Sequence, residues 1–318
     1  SEGKGPAWAN SLFEDNAEYG FGMKLAIESN RKLLKKAIGE VLEKDIDTEL
    51  KAALGYALEH FTATDKEAKE NVKKIEALLP KAIEKACEGC GKLLKKIDEL
   101  KTYLIDKSVW AIGGDGWAYD IGYGGLDHVM ASNKNINIFV LDTEVYSNTG
   151  GQASKATPLG SVARFAESGK GTSKKDLGMM MMSYGYVYVA SIAMGHSKNQ
   201  ALQAIMEAEA YPGPSIIIAY APCINHGIDM SMAQKQEKKA VEAGYWLLYR
   251  YNPLNKLQGK NPLTLDSKEP TASVIDFIEG EKRYSSINKI FPERVKEFRA
   301  ETERWIKERY EYYKKLSQ

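Results

Sequence analysis

Asp115 stands in Gly113-Gly114-Asp115-Gly116, and 28 residues further on Thr143 opens the run Thr143-Glu144-Val145-Tyr146-Ser147-Asn148-Thr149-Gly150-Gly151. An aspartate supplies a hard anionic oxygen, a threonine supplies a hydroxyl, and the loop adds a backbone carbonyl. Such a set suits Mg²⁺, which takes about six oxygens, few of them carboxylates, and shares its sphere with phosphates. The glycines around Asp115 let backbone N–H groups come close to phosphate oxygens where the next helix begins. Together the two segments read as a cradle for a diphosphate and a divalent cation. Taken one at a time the residues have plainer readings. Asp115 could cap a helix in an ordinary turn, and Asn148, before Thr149-Gly150-Gly151, could serve only because it tolerates φ > 0.

The elements that must position these groups can be read around them. Val109 to Gly113 reads as a buried strand, a helix follows near Gly122 to Ala131, and Ile136 to Asp142 is a second strand. The loop of Thr143 to Asn148 then lies at a strand's carboxyl end, where open parallel sheets gather ligands, on the same rim as Asp115. A helix over Lys174 to Ser183, a strand over Tyr186 to Ser191, a helix over Ser197 to Ala210 and a strand over Ser215 to Tyr220 continue the alternation. This favours a parallel sheet with right-handed crossovers. Tyr245 to Tyr251 is a further strand candidate, 252–270 a loop rich in Pro, Asn and Lys, and about 292–315 closing helices. Before the sheet, Glu14 to Lys107 is helical. Leu25, Ile27, Leu33, Leu34, Ala37, Ile38, Val41 and Leu42 recur at helical spacing, and Pro80 marks a start or a kink. The expected organisation is a helical subdomain with its lead-in segment over 1–107, an α/β core over 108–251, and a loop with C-terminal helices over 252–318.

Composition narrows the function class. The 318 residues include 44 basic and 43 acidic side chains, a net charge of +1. No global field therefore points to nucleic acid or an anionic membrane. With 43% hydrophobic residues the chain has ample material for a core. No apolar run approaches the ~20 residues of a membrane span, and no signal-peptide pattern opens the chain. A cytoplasmic protein with a small-molecule ligand is expected. The fingerprint G-x-G-x-x-G of dinucleotide sites is not what Gly-Asp-Gly supplies, and no acidic residue is suitably placed after a second strand.

The wider text is more specific. Gly114-Asp115-Gly116-Trp117-Ala118-Tyr119-Asp120-Ile121-Gly122-Tyr123-Gly124-Gly125-Leu126-Asp127-His128-Val129, the stretch from Asp142 to Gln152, Ser154-Lys155-Ala156-Thr157-Pro158, Tyr184 to Ala190, and Gly5 to Asn16 resemble the C-terminal part of pyruvate:ferredoxin (flavodoxin) oxidoreductases. The resemblance covers nearly the whole chain. It implies a thiamin diphosphate-binding α/β fold, with a mostly parallel sheet flanked by helices and preceded by a helical subdomain. It implies that Mg²⁺ is held by Asp115, Thr143 and the Val145 carbonyl. Cofactor contacts are implied at Gly114, Asp115, Gly116, Trp117, Asp120, Thr143, Val145, Asn148 and Thr149. Asn148 is implied as the catalytic amide beside the thiazolium ring, able to donate to a developing oxyanion. Lys155 and Thr157 are candidates to hold the loop.

The implied reaction is oxidative decarboxylation of pyruvate with coenzyme A to acetyl-CoA and CO₂, the electrons leaving through 4Fe-4S clusters to ferredoxin or flavodoxin. Cys223, in Tyr220-Ala221-Pro222-Cys223-Ile224-Asn225, is implied as one of four thiolate ligands to a 4Fe-4S cluster, the other three lying upstream of the Gly-Pro-Ala-Trp segment. On that resemblance the glutamate that activates the cofactor belongs to another domain, the remaining domains or chains of the same enzyme are partners, and the complete enzyme is a homodimer. The start at Ser1 leads us to expect an excised or cleaved chain. Rival readings are another 2-oxoacid:ferredoxin oxidoreductase, a thiamin decarboxylase, or a non-catalytic cofactor-binding fragment.

Cys87-Glu88-Gly89-Cys90 falls in the helical third, after the Gly-Pro-Ala-Trp segment. It reads either as two free helical thiols or as a redox or metal pair. Three cysteines in a chain this long do not make a disulfide framework. Of the histidines, His60 fits an amphipathic helix, His128 the helix after Gly-Asp-Gly, and His196 and His226 loops. The run Met179 to Met182 reads as a core-filling helix face. The tail with Trp305, Tyr310, Tyr312 and Tyr313 carries mixed charge, which suits packing better than base stacking.

Overall fold

The structure, a computed structural model, describes residues 14–318. The Gly5 to Asn16 segment lies outside the described residues up to Phe13. The chain divides into two compact units, residues 21–109 and residues 110–318 together with 14–20.

The first unit is built from α1 (Asn16–Leu42), whose first residues count with the second unit, α2 (Thr48–Glu59), α3 (Lys66–Lys85) and α4 (Glu88–Leu100). Leu34, Ile38 and Val41 of α1 share one core with Leu50 and Leu54 of α2, Ile75 and Leu79 of α3, and Leu94 and Ile97 of α4. Leu25 and Leu33 belong to the same apolar recurrence yet lie exposed, because the stripe is wider than the face that this core uses. Asp47, Asp65 and Cys87 cap α2, α3 and α4 by accepting backbone N–H groups. Pro80 neither opens nor ends a helix, since α3 runs through it to Lys85.

The second unit holds strands β1 (Trp110–Gly114), β2 (Asn137–Asp142), β3 (Tyr188–Ile192), β4 (Ser215–Tyr220), β5 (Tyr249–Tyr251) and β6 (Leu263–Leu265). Its helices are α5 (Tyr123–Ala131), α6 (Leu177–Met182), α7 (Lys198–Ala210), α8 (Ala233–Glu242), α9 (Val274–Glu279), α10 (Lys282–Ser285), α11 (Ile287–Ile290) and α12 (Pro292–Leu316). The strands form one sheet in the order β1-β2-β4-β3-β5-β6. The first four in that order are parallel, and β5 and β6 add on antiparallel. The mixed α/β fold with a mostly parallel sheet is thus present. Ile138, Val140, Val189, Ala190, Ile216 and Ile217 are wholly buried, as strands covered on both faces require. Ala201, Ala204 and Ala208 of α7 pack on Tyr188, Ala190 and Ile217, their small side chains letting the helix sit close to the sheet.

Register sets the site. Gly114 of β1 pairs with Leu141 of β2, and Asp142 pairs with Tyr220 of β4, so three carboxyl ends finish on one rim.

Some boundaries differ from the sequence reading. Asp176 caps α6 by accepting the Met179 N–H, so Lys174 and Lys175 stand before the helix rather than in it. The expected loop 252–270 contains a 3₁₀ turn over Pro253–Gln258 and the strand β6. Asn252 starts that turn with its side chain, and Gly259, at φ 69°, ends it. In the tail, Tyr310 and Tyr313 are buried, and the Tyr313 hydroxyl donates to Asp176 at 2.8 Å. Among the described residues no helix is long and apolar enough to cross a membrane.

Candidate functional site

Directly after β1 the chain makes a π-helical turn, Gly116–Ile121, a wide turn of a kind often found at functional sites. Asp115 sits at its head, 1% exposed. Its Oδ1 accepts the Thr143 backbone N–H at 3.2 Å and the Thr143 hydroxyl at 2.8 Å, and its Oδ2 accepts the Ser154 hydroxyl at 2.7 Å. The same Thr143 Oγ1 lies 3.0 Å from the Val145 carbonyl oxygen. A hydroxyl has one proton and cannot donate to both neighbours at once. Adjacent ligands of an octahedral ion bound at 2.0–2.1 Å are separated by about 2.9 Å, so the two O···O spacings are those of octahedral edges. These are also ordinary hydrogen-bond lengths, so Asp115, Thr143 and Val145 could hold a small hard cation with little movement. Burial pushes the Asp115 carboxyl up to about 7, with the charge of Asp142 adding to the rise while Ser154 and Thr143 oppose it. A cation on Oδ1 would relieve that cost.

The three glycines of the turn have different duties. At Gly113 a Cβ would strike the Trp117 ring and at Gly116 the Tyr146 ring, so both are needed for close packing. At Gly114 the nearest atom to an added Cβ is the Leu141 carbonyl oxygen, 4.0 Å away. The fold itself does not need this glycine, which leaves room on the rim for a bound group.

The second loop is a tight hairpin. The Tyr146 N–H donates to the Gln152 carbonyl at 2.9 Å, and the Gly151 N–H donates back to Tyr146 at 2.8 Å. Asn148 and Thr149 are exposed at its tip, and the Thr149 hydroxyl donates to Gln152 Oε1 at 2.7 Å. Gly150 and Gly151, at φ 118° and 84°, supply the left-handed backbone, so Asn148 is not the residue that does so. Cys223 follows β4 and is buried. Its Sγ lies 2.9 Å from Ser147 Oγ and accepts the Asn225 backbone and side-chain N–H groups at 3.5 Å. Strand order alone thus brings Cys223 to the loop that carries Asn148. Trp117 is buried, and its indole N–H has no partner among the described residues. Asp120 is half-buried and ion-paired with Lys155, whose stem is mostly exposed.

Apart from Thr157, already a candidate to hold the loop, several supporting groups escaped the sequence reading. Ser154 holds Asp115, and Thr157 accepts the Ser154 N–H at 2.9 Å while donating to the Glu144 carbonyl at 2.6 Å. Glu144, in the left-handed region at φ 59°, is fully buried. Lys174 bridges it to Asp142, with Nζ 2.8 Å from each carboxylate. The Tyr245 hydroxyl donates to Glu144 Oε2 at 2.6 Å, and Arg283 Nη1 lies 2.8 Å from the same oxygen, out of line with its N–H. Burial works against the ionised Glu144, yet Lys174 and Arg283 hold its carboxyl down at about 2. His226, read as a loop residue, is completely buried and joins the two halves of the rim. Burial, aided by Arg283, lowers it to about 3, so the ring is neutral. Its Nε2–H donates to the Thr143 carbonyl at 2.8 Å, while Nδ1 accepts the Cys223 N–H at 3.4 Å. A Lys-Lys pair and a lone His give no signal in sequence that would separate them from solvated residues.

Residues 97–219 match the family described as thiamine pyrophosphate enzyme, C-terminal TPP binding domain. That match takes in the strands β1 to β3 and the rim loops between them. The chain is 58% identical over 317 residues to a pyruvate:ferredoxin oxidoreductase of Moorella thermoacetica, with all of this chain and 27% of the relative covered. It is 51% identical over 323 residues to a pyruvate-flavodoxin oxidoreductase of Enterobacter agglomerans, covering 99% and 27% respectively. The resemblance read in the sequence therefore holds along the whole chain, which spans about a quarter of the length of these curated relatives. A solved structure described as a 2-oxoglutarate:ferredoxin oxidoreductase from Magnetococcus marinus aligns with 37% of this chain and 40% of its own at 24% identity and a TM-score of 0.34, too slight a likeness to argue from.

Proposed function

We propose that this chain is the thiamin diphosphate- and Mg²⁺-binding portion of a pyruvate:ferredoxin or pyruvate-flavodoxin oxidoreductase, with residues 108–251 as the cofactor-binding core. The observation that carries the reading is the Thr143 hydroxyl standing 2.8 Å from Asp115 Oδ1 and 3.0 Å from the Val145 carbonyl oxygen, beside the open face of Gly114. When bound, thiamin diphosphate supplies the carbon nucleophile and electron sink that decarboxylation of a 2-oxoacid requires. The chain's own residues bind and orient. Asp115 and Thr143 present their oxygens to the cation, and Gly114 leaves room for the diphosphate. Ser154, Thr157 and the buried Glu144–Lys174–Arg283 set hold the metal loop in one geometry, as preorganisation demands. Asn148 stands exposed on the rim as the amide donor toward the oxoacid. Cys223 would ligate a 4Fe-4S cluster, its sulfur already among the hydrogen-bond donors of Ser147 and Asn225 that tune such thiolates.

In the complete enzyme the reaction is oxidative decarboxylation of pyruvate with coenzyme A, and the electrons go to ferredoxin or flavodoxin, as the relatives' names suggest. The remaining domains or chains of the same enzyme are its partners, in a cytoplasmic homodimer. Calorimetry of the complete protein with Mg²⁺ and thiamin diphosphate provides the test. Asp115→Ala should abolish binding, and an unchanged affinity in that variant would overturn the assignment.

A further inference from the structure

The first unit contains a second, separate piece of chemistry. Cys87 is the N-cap of α4, a helix of 13 residues, and its sulfur accepts the Cys90 backbone N–H at 3.4 Å. Cys90, one turn on, is buried beneath it, and the two sulfurs are 2.9 Å apart. Cys87 itself is exposed. Gly89, between them, has no atom within 4 Å of an added Cβ, and at Gly91 the nearest such atom is the Ala86 methyl at 3.8 Å, so the approach to Cys87 is uncluttered. Among the described residues no third His, Cys, Asp or Glu joins the pair in a group able to hold a metal. A closed zinc or cluster site needs about four ligands.

We propose that Cys87 and Cys90 form a redox-active dithiol, with Cys87 the attacking thiol and Cys90 the resolving thiol, whose substrate is an accessible disulfide. A thiol at a helix N-terminus gains from the backbone N–H groups and the positive end of the helix dipole when it ionises. The hydrogen bond from Cys90 favours the Cys87 thiolate, as do the Cys90 and Gly89 N–H groups and the nearby Lys44 charge. The same contact, together with burial and the Cys87 charge, raises the Cys90 thiol. One sulfur is thereby ready to attack and the other is kept protonated until it is needed.

The exchange balances. The Cys87 thiolate attacks one sulfur of R–S–S–R′, forming Cys87–S–S–R and releasing R′S⁻, which takes up a proton. Cys90 then loses its proton and attacks Cys87 Sγ, releasing RS⁻, which is protonated in turn. The pair of thiols is oxidised to one disulfide and the substrate disulfide is reduced to two thiols.

The test uses the complete protein and needs no variant at its first stage. Trypsin would release residues 86–92, which hold both cysteines and no other. The folded protein is equilibrated with mixtures of oxidised and reduced dithiothreitol, quenched by alkylation and digested. The peptide should pass through a single two-electron transition to a form lighter by two hydrogens. Oxidised glutathione, added to Cys90→Ser, should accumulate as a mixed disulfide on Cys87, at least about tenfold faster than on Cys90 in Cys87→Ser. Circular dichroism of each variant checks that the helices persist. A pair that stays reduced in the folded protein under mixtures that oxidise the free peptide would overturn the proposal. Equal capture on Cys90 would overturn the assignment of roles.

Discussion

In the cation-free protein Asp115 should be about half protonated at neutral pH, and loading the site should expel that share of a proton. Burial is the main cause of the rise from 3.8 to about 7. That rise corresponds to about 4 kcal/mol of disfavoured charge. Because the folded-state value is raised, this group's stabilising contribution is fully present below about pH 4 and is lost as pH rises through 7. The cation-free fold should therefore weaken between about pH 4 and 7. Binding has the opposite slope, since Mg²⁺ takes the ionised carboxylate. At pH 7 about half a proton should leave Asp115 on binding, and at pH 8 about a tenth. The terminal phosphate of the cofactor, which titrates near 6, adds only about a tenth of a proton at pH 7. Calorimetry in buffers of different ionisation enthalpy reads this release directly. Ser154→Ala removes a hydrogen bond that favours the ionised form, so its release curve should move to higher pH. Proton release that stays flat between pH 6.5 and 8.5, or a Ser154→Ala curve that moves down, would refute the reasoning.

The two neighbouring glycines should separate binding from folding. Gly114→Ala should leave the melting temperature unchanged but weaken thiamin diphosphate at least about tenfold, or 1.4 kcal/mol, whereas Gly116→Ala should cost about 1–3 kcal/mol of stability by overpacking against Tyr146. Differential scanning calorimetry and binding isotherms on both variants check this. Lys174→Met would leave Asp142 and Glu144 buried without their shared cation, and thermal denaturation should show a loss of about 3–5 kcal/mol, partly restored in Lys174→Arg. Cys223→Ser in the complete enzyme should remove or destabilise one cluster signal in electron paramagnetic resonance, while serines at Cys87 and Cys90 should leave every cluster signal in place.

By itself the sequence determined the kinds of element and the chemistry they carry. Apolar β-branched runs at Ile136 to Leu141 and Ser215 to Tyr220, and helical spacing from Leu34 to Val41, reflect burial and period, which are local properties that composition encodes directly. Asp115 and Thr143 could be paired in advance because one helix and one strand separate them, and a parallel unit returns the chain to the same rim. Tertiary structure decided what no local pattern encodes. Placing β4 beside β2 put Cys223 against Ser147, and placing β3 on the far side of β4 made room for it. Lys174, expected to open a helix, instead has its side chain enclosed between two carboxylates, and Glu144 depends on Arg283 and Tyr245 from distant parts of the chain. Whether a charge is solvated or paired depends on which elements close over it. Long-range packing fixes that choice, and the low dielectric of the interior then makes the pairing count.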